Sequence, residues 1–460
     1  MRLEKDMLGE KALPEEALYG INTARAMENF NLGQKSVNRG LIRAMVLVKK
    51  AAAVTYLNLG MGKPEVESAI IAACDEVLNS EDKYESYFPV QALQGGAGTS
   101  TNMNVNEVLA NLALKSLGQN PGDYEVIHPL DDVNRGQSTN DVYPTALRIA
   151  AIRQLRLLSD ECAKLQTALQ EKESQWQDVD KLGRTELMDA VPITTGEEFG
   201  AYAQAIARDR WRLYKVEERL RQVNIGGTAV GLSNNADRKY RFGVIEELRR
   251  LTGYGLAAAE YPMDITQNND VFVEVSGLIK ALAVNLMKIA NDLCLMNSGP
   301  HGGLGEMVLP EVQQGSTIMP GKVNPVMAEM VMQCAMRVAA NDTAITMAAA
   351  HGEFELNAFL PLIADSLLES LALMTEAVRL FREKCIVPLR INEEACRKHL
   401  NASSAFAASY APVLGYDKVS RIIRDYTPEE AVKLLKNVWR KDNVASDATI
   451  KNEISCKMWL

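Results

Sequence analysis

The sequence lacks the residue patterns on which metal and disulfide chemistry depend. It has seven cysteines and only four histidines in 460 residues, and no two cysteines form a CxxC pair. No histidines lie at the HxxxH or HExxH spacing that catalytic zinc sites use. We therefore expect free, mostly buried thiols, no disulfide framework and no metal site. A GxSxG nucleophile elbow is also missing, which disfavours acyl transfer through a serine triad.

Dense basic runs and long uncharged apolar runs are also missing. The formal net charge is −9, so a nucleic acid or an anionic membrane surface is disfavoured as a partner. The apolar segment 327–350 is interrupted by Glu329, Arg337 and Asp342, so no transmembrane helix is predicted. Residues 1–11 are charged from the start and hold no apolar core. We therefore expect no signal peptide and a cytoplasmic protein.

Two long segments carry apolar residues at intervals of three and four, which predicts α-helices. In residues 148–176 this stripe consists of Ile152, Leu155, Leu158, Cys162, Leu165 and Leu169. In residues 270–297 it consists of Phe272, Val275, Ile279, Leu282, Leu286, Ile289 and Leu293. The second segment also has apolar residues off its stripe, namely Val271, Leu278, Val284 and Leu295. Because such a helix has to be covered nearly all round, we predict a central bundle helix that another subunit helps to cover.

The distribution of turn residues divides the chain into three zones, each predicted to be a domain. Residues 1–140 mix short helical segments with glycine, proline and asparagine. Residues 141–391 hold the long helical runs, and residues 392–460 form a shorter-ranged, more charged zone. Two prolines and a glycine within 319–325 cannot continue a helix. We therefore predict a functional loop at 312–325 among the bundle helices.

Four segments far apart in the chain are rich in small polar residues: 98–104, 136–141, 183–186 and 315–324. Each has a structural interpretation, because Ser, Thr and Asn cap helices. The candidate caps are Ser138 or Thr139 for one helix and Thr99 or Ser100 for another. Together, the four segments also fit a site that surrounds a small polyanion with hydroxyls, amides and one lysine, Lys322.

The fourth segment, GSTIMPGKVN at 315–324, resembles the GSSxMPxKxN signature of the aspartase/fumarase superfamily. Three further segments match the same family in the same order. They are GGAGTSTNMNVNEV at 95–108, QSTND at 137–141 and GRTELMDAVP at 183–192. The opening of the chain is similar to the start of aspartases, and the resemblance extends to about residue 395.

The resemblance implies a mainly α-helical fold of three domains, whose central long-helix bundle forms the core of a homotetramer. It implies active sites that each combine residues of three subunits, and chemistry that needs no cofactor. The substrate class is a small dicarboxylate or amino acid. The implied reaction is the reversible β-elimination of ammonia from L-aspartate to fumarate, so the protein is expected to be a carbon–nitrogen lyase of amino-acid metabolism.

The chemistry of this elimination explains the residue types. Removing a proton next to a carboxylate creates a high-energy aci-carboxylate, so donors are needed where its charge develops. By its motif, Ser316 is the implied general base, acting as an alkoxide on a loop that closes over the substrate. The implied donors to the β-carboxylate are Thr99, Ser138, Thr139 and Thr317. The remaining implied contacts are Lys322 and Asn324 to the α-carboxylate, and Asn140 and Thr185 to the amino group and the neighbouring carboxylate.

The chain departs from the family at position 186, where it has Glu. Fumarases have His there, and aspartases have His or Gln. A carboxylate favours a cationic ammonium over a neutral hydroxyl, so Glu186 ranks an amine leaving group above water. Residues 405–416 depart most, which leaves the substrate range open. Arg184 is interpreted as a structural ion-pair partner in preference to a ligand.

Three alternatives stay open at this point. The same fold could act on another amine, such as an N-substituted aspartate or an ergothioneine-like amino acid. It could be a fumarate hydratase, which the absence of His at position 186 disfavours. It could also be a non-catalytic structural member, as lens crystallins of the wider superfamily are. The presence of Ser316, Lys322 and Asn324 argues against that last alternative.

Overall fold

The computed structural model describes residues 1–33 and 35–442, and α-helices account for most of them. The longer helices are α1 (Ile21–Asn29), α2 (Arg39–Leu59), α3 (Pro64–Asn79), α5 (Thr99–Ser116), α6 (Thr139–Gln175), α7 (Thr195–Leu220), α8 (Arg238–Thr252), α10 (Asp270–Met296), α11 (Val326–Ala350), α12 (Leu360–Phe381), α13 (Glu393–Ala402), α15 (Tyr416–Asp425) and α16 (Pro428–Asp442). The short ones are α4 (Glu81–Tyr84), α9 (Pro262–Gln267) and α14 (Ala411–Leu414). Single turns of 3-10 or π-helix lie at Glu85–Tyr87, Pro129–Val133, Arg382–Ile386 and Ala405–Ser409. The predicted mainly α-helical fold class is confirmed.

Strands contribute four two-stranded sheets to the described residues. Three are antiparallel: β1 (Arg2–Asp6) with β2 (Gly9–Leu13), β3 (Asp180–Thr185) with β4 (Met188–Thr194), and β7 (Met307–Val308) with β8 (Arg390–Ile391). The fourth pairs β5 (Gln222–Val223) and β6 (Ala257–Ala258) in parallel. The β3–β4 hairpin carries the predicted site residues Thr185 and Glu186.

The two helices predicted from apolar periodicity are both present, as α6 and α10. All thirteen residues of the two predicted stripes are buried. Off the stripe of α10, Val284 is 56% exposed and Leu295 is 36% exposed, while Val271 and Leu278 are half-buried. The single chain therefore covers one face of α10 and leaves apolar side chains uncovered on another.

Two compact units make up the chain. Unit 1 consists of Met1–Glu161, Asp209–Val284 and Gln333–Ala377, and unit 2 of Cys162–Arg208, Asn285–Met332 and the described part of Val378–Leu460. Helices α6, α7, α10, α11 and α12 each contribute residues to both units. The three-zone division at residues 140 and 391 stays a prediction.

The six cysteines within residues 1–33 and 35–442 form no disulfide. Cys74, Cys162, Cys385 and Cys396 are buried, and Cys294 and Cys334 are half-buried. Cys456 lies outside the described residues. Within residues 1–33 and 35–442, no helix is long and apolar enough to span a membrane.

Candidate active site

The first predicted segment begins helix α5, and its local structure differs from the predicted capping by Thr99 or Ser100. The N-cap is Gly98, and the first turn is capped by Gln94, whose Oε1 accepts from the Thr101 N–H at 3.1 Å. Gly98 has φ +91, and a Cβ there would lie 2.2 Å from the ring of Tyr143. Glycine is therefore required by both backbone conformation and close packing. Thr99 is exposed at the first helical position, where its hydroxyl donates to the Gly96 carbonyl at 2.8 Å.

The second segment begins helix α6, and here the predicted cap is confirmed at Ser138. Its Oγ accepts a hydrogen bond from the Asn140 N–H at 3.2 Å, while Asp141 Oδ1 accepts from the Ser138 N–H at 2.9 Å. This pattern resembles a capping box, with aspartate as the third helical residue but with the N–H of the second residue as the donor to the cap. Asp141 Oδ2 accepts from the Gly226 and Thr228 N–H groups at 3.0 and 2.9 Å. Burial raises the pKa of Asp141 to about 6, against these hydrogen bonds.

These two segments meet within unit 1. Asn102 of α5 donates through Nδ2 to Thr139 Oγ1 at 3.2 Å and to Asn134 Oδ1 at 3.1 Å. Asn140 Nδ2 donates to the Ala229 carbonyl at 2.8 Å. The first turns of α5 and α6 therefore lie side by side. Both first turns carry the partial positive charge of a helix N-terminus, which suits a bound carboxylate.

The loop that precedes Ser138 packs against Tyr56 of α2. Its hydroxyl donates to the Arg135 carbonyl at 3.0 Å, and the Arg135 guanidinium lies 4.8 Å from the centre of its ring. Gly136 has φ +63, and a Cβ there would lie 2.2 Å from the Tyr56 hydroxyl. Tyr56 itself stacks on Tyr240 at a centroid distance of 4.5 Å. The backbone that presents Ser138 is thus held against a rigid aromatic pair.

We expect Glu67→Gln to stabilise the protein at neutral pH. Glu67 of α3 is 2% exposed, and its Oε2 has no hydrogen-bond partner among the described residues. Burial raises its pKa from 4.5 to about 7, although Arg135 acts to lower it. A carboxyl group whose pKa is higher in the folded than in the unfolded protein stabilises the fold at pH values below the unfolded-state pKa. This stabilisation is lost as the pH rises through the folded-state pKa. Because Gln does not titrate, the free energy of unfolding of the variant should increasingly exceed that of the wild type between pH 4.5 and 7.

Urea unfolding at pH 5 and pH 8 measures this difference. The control is Glu65→Gln on the same helix, where the side chain is exposed and no pH-dependent difference is expected. An equal effect of Glu67→Gln at both pH values would contradict the assignment.

The third segment ends at the tip of the β3–β4 hairpin in unit 2. Thr185 pairs with Met188, so Glu186 and Leu187 form a two-residue loop. Their φ values are +54 and +66, as in the type I′ turn, which normally uses Asn-Gly. Holding two larger side chains in this region costs on the order of 1 kcal/mol each. Both Thr185 and Glu186 are exposed, so the strained turn leaves their side chains accessible to solvent.

The base of this hairpin is held by a buried carboxylate that sequence reasoning missed. Glu306, with no exposed surface, accepts from both terminal nitrogens of Arg184 at 3.0 and 2.7 Å. It also lies 3.5 Å from Lys181 Nζ and 2.8 Å from His399 Nδ1. Burial alone would raise the pKa of Glu306, but these hydrogen bonds and charges outweigh it and hold the pKa below its ordinary value. The prediction that Arg184 is an ion-pair partner is confirmed.

The fourth segment forms the predicted loop between β7 and α11. A cavity of about 600 Å³ opens within it, lined by loop residues between Glu311 and Val323. Two hydrogen bonds join the two ends of the loop, from the Gly315 N–H to the Lys322 carbonyl and from Asn324 Nδ2 to the Gly315 carbonyl, each 2.8 Å. Thr317 and Lys322 are exposed. Thr185 and Glu186 do not line this cavity.

Ser316 occupies a position in the loop that suits an anionic oxygen. Its Oγ accepts hydrogen bonds from the backbone N–H groups of Ile318 at 3.2 Å and Met319 at 2.9 Å. Donors that point at a hydroxyl oxygen stabilise its deprotonated form. The motif alone did not predict these two donors, because they arise from the way the backbone turns after Ser316.

Comparisons with known proteins agree with the four motifs. The lyase family model matches residues 9–340. The chain belongs to this lyase family. Aspartate ammonia-lyase from Bacillus sp. is 43% identical over 95% of this chain and 93% of its own length. The predicted relationship to the aspartase/fumarase superfamily is thereby confirmed.

Solved structures of lyase family relatives show the same fold. A fumarate lyase:delta crystallin from Brucella melitensis superposes with a TM-score of 0.91 at 42% identity, covering 97% of this chain and 100% of that one. A class II fumarase from Schistosoma mansoni also has a TM-score of 0.91, at 31% identity and with 95% of each chain covered. The fold is therefore shared by lyases whose names differ, so substrate assignment depends on individual residues.

Proposed function

We propose that this lyase is an aspartate ammonia-lyase, which eliminates ammonia reversibly from L-aspartate and forms fumarate. The observation that carries the proposal is the environment of Ser316, whose oxygen receives two backbone N–H donors within a loop that bears the family signature. The curated relative from Bacillus sp. carries the same activity in its name. Glu186 adds a carboxylate for a cationic amine.

In the proposed reaction, the Ser316 alkoxide removes a proton from Cβ of aspartate. The electrons of that bond pass into the neighbouring carboxylate, which becomes an aci-carboxylate, and they return as the C–N bond breaks and ammonia leaves. The growing charge on the carboxylate is stabilised by hydroxyl donors. We assign this role to Thr99, Ser138, Thr139 and Thr317. The other proposed contacts are Lys322 and Asn324 to the α-carboxylate, and Asn140, Thr185 and Glu186 around the amine.

We further propose that the chain acts as a homotetramer whose active sites combine residues of three subunits. The uncovered apolar residues of α10, Val284 and Leu295 among them, support an interface along the helical core. The exposed positions of Thr185, Glu186 and Lys322 support sites completed by neighbouring chains. In that arrangement, the predicted site residues need not meet within one chain.

The direct test is to add L-aspartate and follow the ultraviolet absorbance of fumarate. Malate, an N-substituted aspartate and ergothioneine, tested in parallel, separate the alternatives. Turnover of L-aspartate with the largest kcat/KM supports the proposal. Preferential turnover of another amine would leave the assignments of the fold and the base unchanged but would identify a different substrate. Turnover of malate alone would identify the protein as a fumarate hydratase.

For Glu186, we expect Glu186→Ala to lower kcat/KM for L-aspartate by about 10-fold, because alanine lacks the carboxylate that attracts the ammonium. Glu186→Asp keeps the charge and should retain more of the activity. Steady-state kinetics on the three proteins provide the comparison. Equal activity of the wild type and Glu186→Ala would remove Glu186 from the amine site.

A further inference from the structure

Lys49 is a fully buried lysine in the middle of α2, with 0% of its surface exposed. Its Nζ donates to Asn134 Oδ1 at 2.8 Å and to Gln137 Oε1 at 2.9 Å. Lysine is almost never fully buried unless its charge is compensated. Both acceptors are neutral amides, so the burial of this ammonium calls for an explanation.

The two amides connect Lys49 to both polar segments of unit 1. Gln137 directly precedes Ser138, and the Gln137 carbonyl accepts from Asn134 Nδ2 at 3.2 Å. Asn134 Oδ1 also accepts from Asn102 and Asn106 of α5, at 3.1 and 3.2 Å. One ammonium therefore anchors the hydrogen bonds that hold the starts of α5 and α6 together.

The charge of Lys49 is only indirectly balanced within unit 1. Asp141 is the carboxylate whose charge acts most on it. Both oxygens of Asp141 already accept backbone N–H groups, from Ser138 on one side and from Gly226 and Thr228 on the other. Burial lowers the pKa of Lys49 to about 7, and the charge of Asp141 acts in the opposite direction. An anion bound above the two helix starts would compensate this ammonium through the low-dielectric interior.

We propose that Lys49 is a positioning residue for the elimination reaction. Its ammonium holds Asn134 and Gln137, and through them Ser138, Thr139 and the first turn of α5, in the geometry that receives a substrate carboxylate. It also adds positive charge beneath that carboxylate. This inference rests on the proposed function, because it takes these hydroxyls as the donors to the β-carboxylate.

Lys49→Met and Lys50→Met form a matched pair for the test. Lys50 is the next residue of α2, and its ammonium pairs with Asp75 of α3. We expect Lys49→Met to lower kcat/KM for L-aspartate by about 100-fold, in both KM and kcat, because the charge on the β-carboxylate grows in the transition state. Lys50→Met should stay within about threefold of the wild type. Equal kinetics of Lys49→Met and the wild type would overturn the proposal.

A binding experiment separates positioning from general damage. Succinate carries both carboxylates, whereas L-2-aminobutyrate lacks the carboxylate that Thr99, Ser138 and Thr139 are proposed to bind. By calorimetry, Lys49→Met should bind succinate about 10-fold more weakly and L-2-aminobutyrate as tightly as the wild type does. Equal weakening of both ligands would indicate a structural role and overturn the proposal.

A second variant keeps the test decisive if Lys49→Met does not assemble. Gln137→Leu removes one acceptor of the ammonium and leaves α2 intact, and it should weaken succinate binding selectively in the same experiment. A succinate affinity of Gln137→Leu equal to that of the wild type would contradict the positioning role of Lys49. Inactivity of the wild type with L-aspartate would instead refute the proposed function, while the succinate comparison would still decide the role of Lys49.

Discussion

Ser316→Ala is expected to lower kcat for L-aspartate by about 1,000-fold or more, because it removes the proposed general base. The side chain is half-buried in a loop whose Ile318 and Met319 N–H groups point at its oxygen. Alanine leaves these two donors without their acceptor, but the loop is largely open to water, which can replace it. The fold and the oligomer should therefore stay intact while turnover is lost.

The measurement is fumarate formation at saturating L-aspartate, with the oligomeric state checked by light scattering. Thr317→Ser is the matched control, since it changes the next residue of the loop but keeps its hydroxyl. It should retain activity within about threefold of the wild type. Substantial turnover by a correctly assembled Ser316→Ala protein would show that a group other than Ser316 is the general base.

Serine is a weak base in water, so the assignment depends on how the loop lowers its proton affinity. The sequence identified Lys322 as a source of positive charge, but the structure adds two backbone donors at hydrogen-bond distance. Fixed donors of this kind are effective because they need no reorganisation when charge develops. The loop therefore favours the deprotonated form of Ser316 through its backbone turn, in addition to its lysine.

The parts of the fold that periodicity determines were predictable. Apolar residues at intervals of three and four identified α6 and α10, because one helical face has to be buried. The Ser138 cap followed from a Ser-Thr-Asn-Asp sequence that satisfies free N–H groups of α6 locally. The site segments followed from motifs, since their chemistry requires hydroxyl and amide donors in fixed order.

Other features depend on tertiary contacts and could not be predicted. Gly98 takes the cap position of α5 instead of Thr99, because Tyr143, 45 residues later in the chain, leaves no room for a Cβ. Lys49 is one of two consecutive lysines in α2, and only its contacts with Asn134 and Gln137 distinguish it from Lys50. The partners of Glu306 come from two elements distant in sequence, β3 and α13, so no local pattern identifies it.

Glu306→Gln is expected to destabilise the protein by about 3 kcal/mol, because it leaves buried cationic groups without their carboxylate. Arg184 and Lys181 both lie within ion-pair distance of Glu306, at 2.7 and 3.5 Å, and Lys181 would keep its ion pair with Glu198. The loss should also affect activity, because Arg184 directly precedes Thr185 in the hairpin. An increase in KM for L-aspartate is therefore expected together with the lower stability.

The pH dependence of this effect has a defined sign. The pKa of Glu306 is held below 4.5 in the folded protein, so its contribution is fully present above that value and is lost as pH falls through the folded pKa. Urea unfolding of the wild type and Glu306→Gln should therefore differ most near neutral pH and converge in acid. Glu311→Gln, an exposed change in the same unit, is the control and should leave the unfolding midpoint unchanged. A pH-independent difference between the wild type and Glu306→Gln would mean that packing, and not the charge of Glu306, holds the hairpin in place.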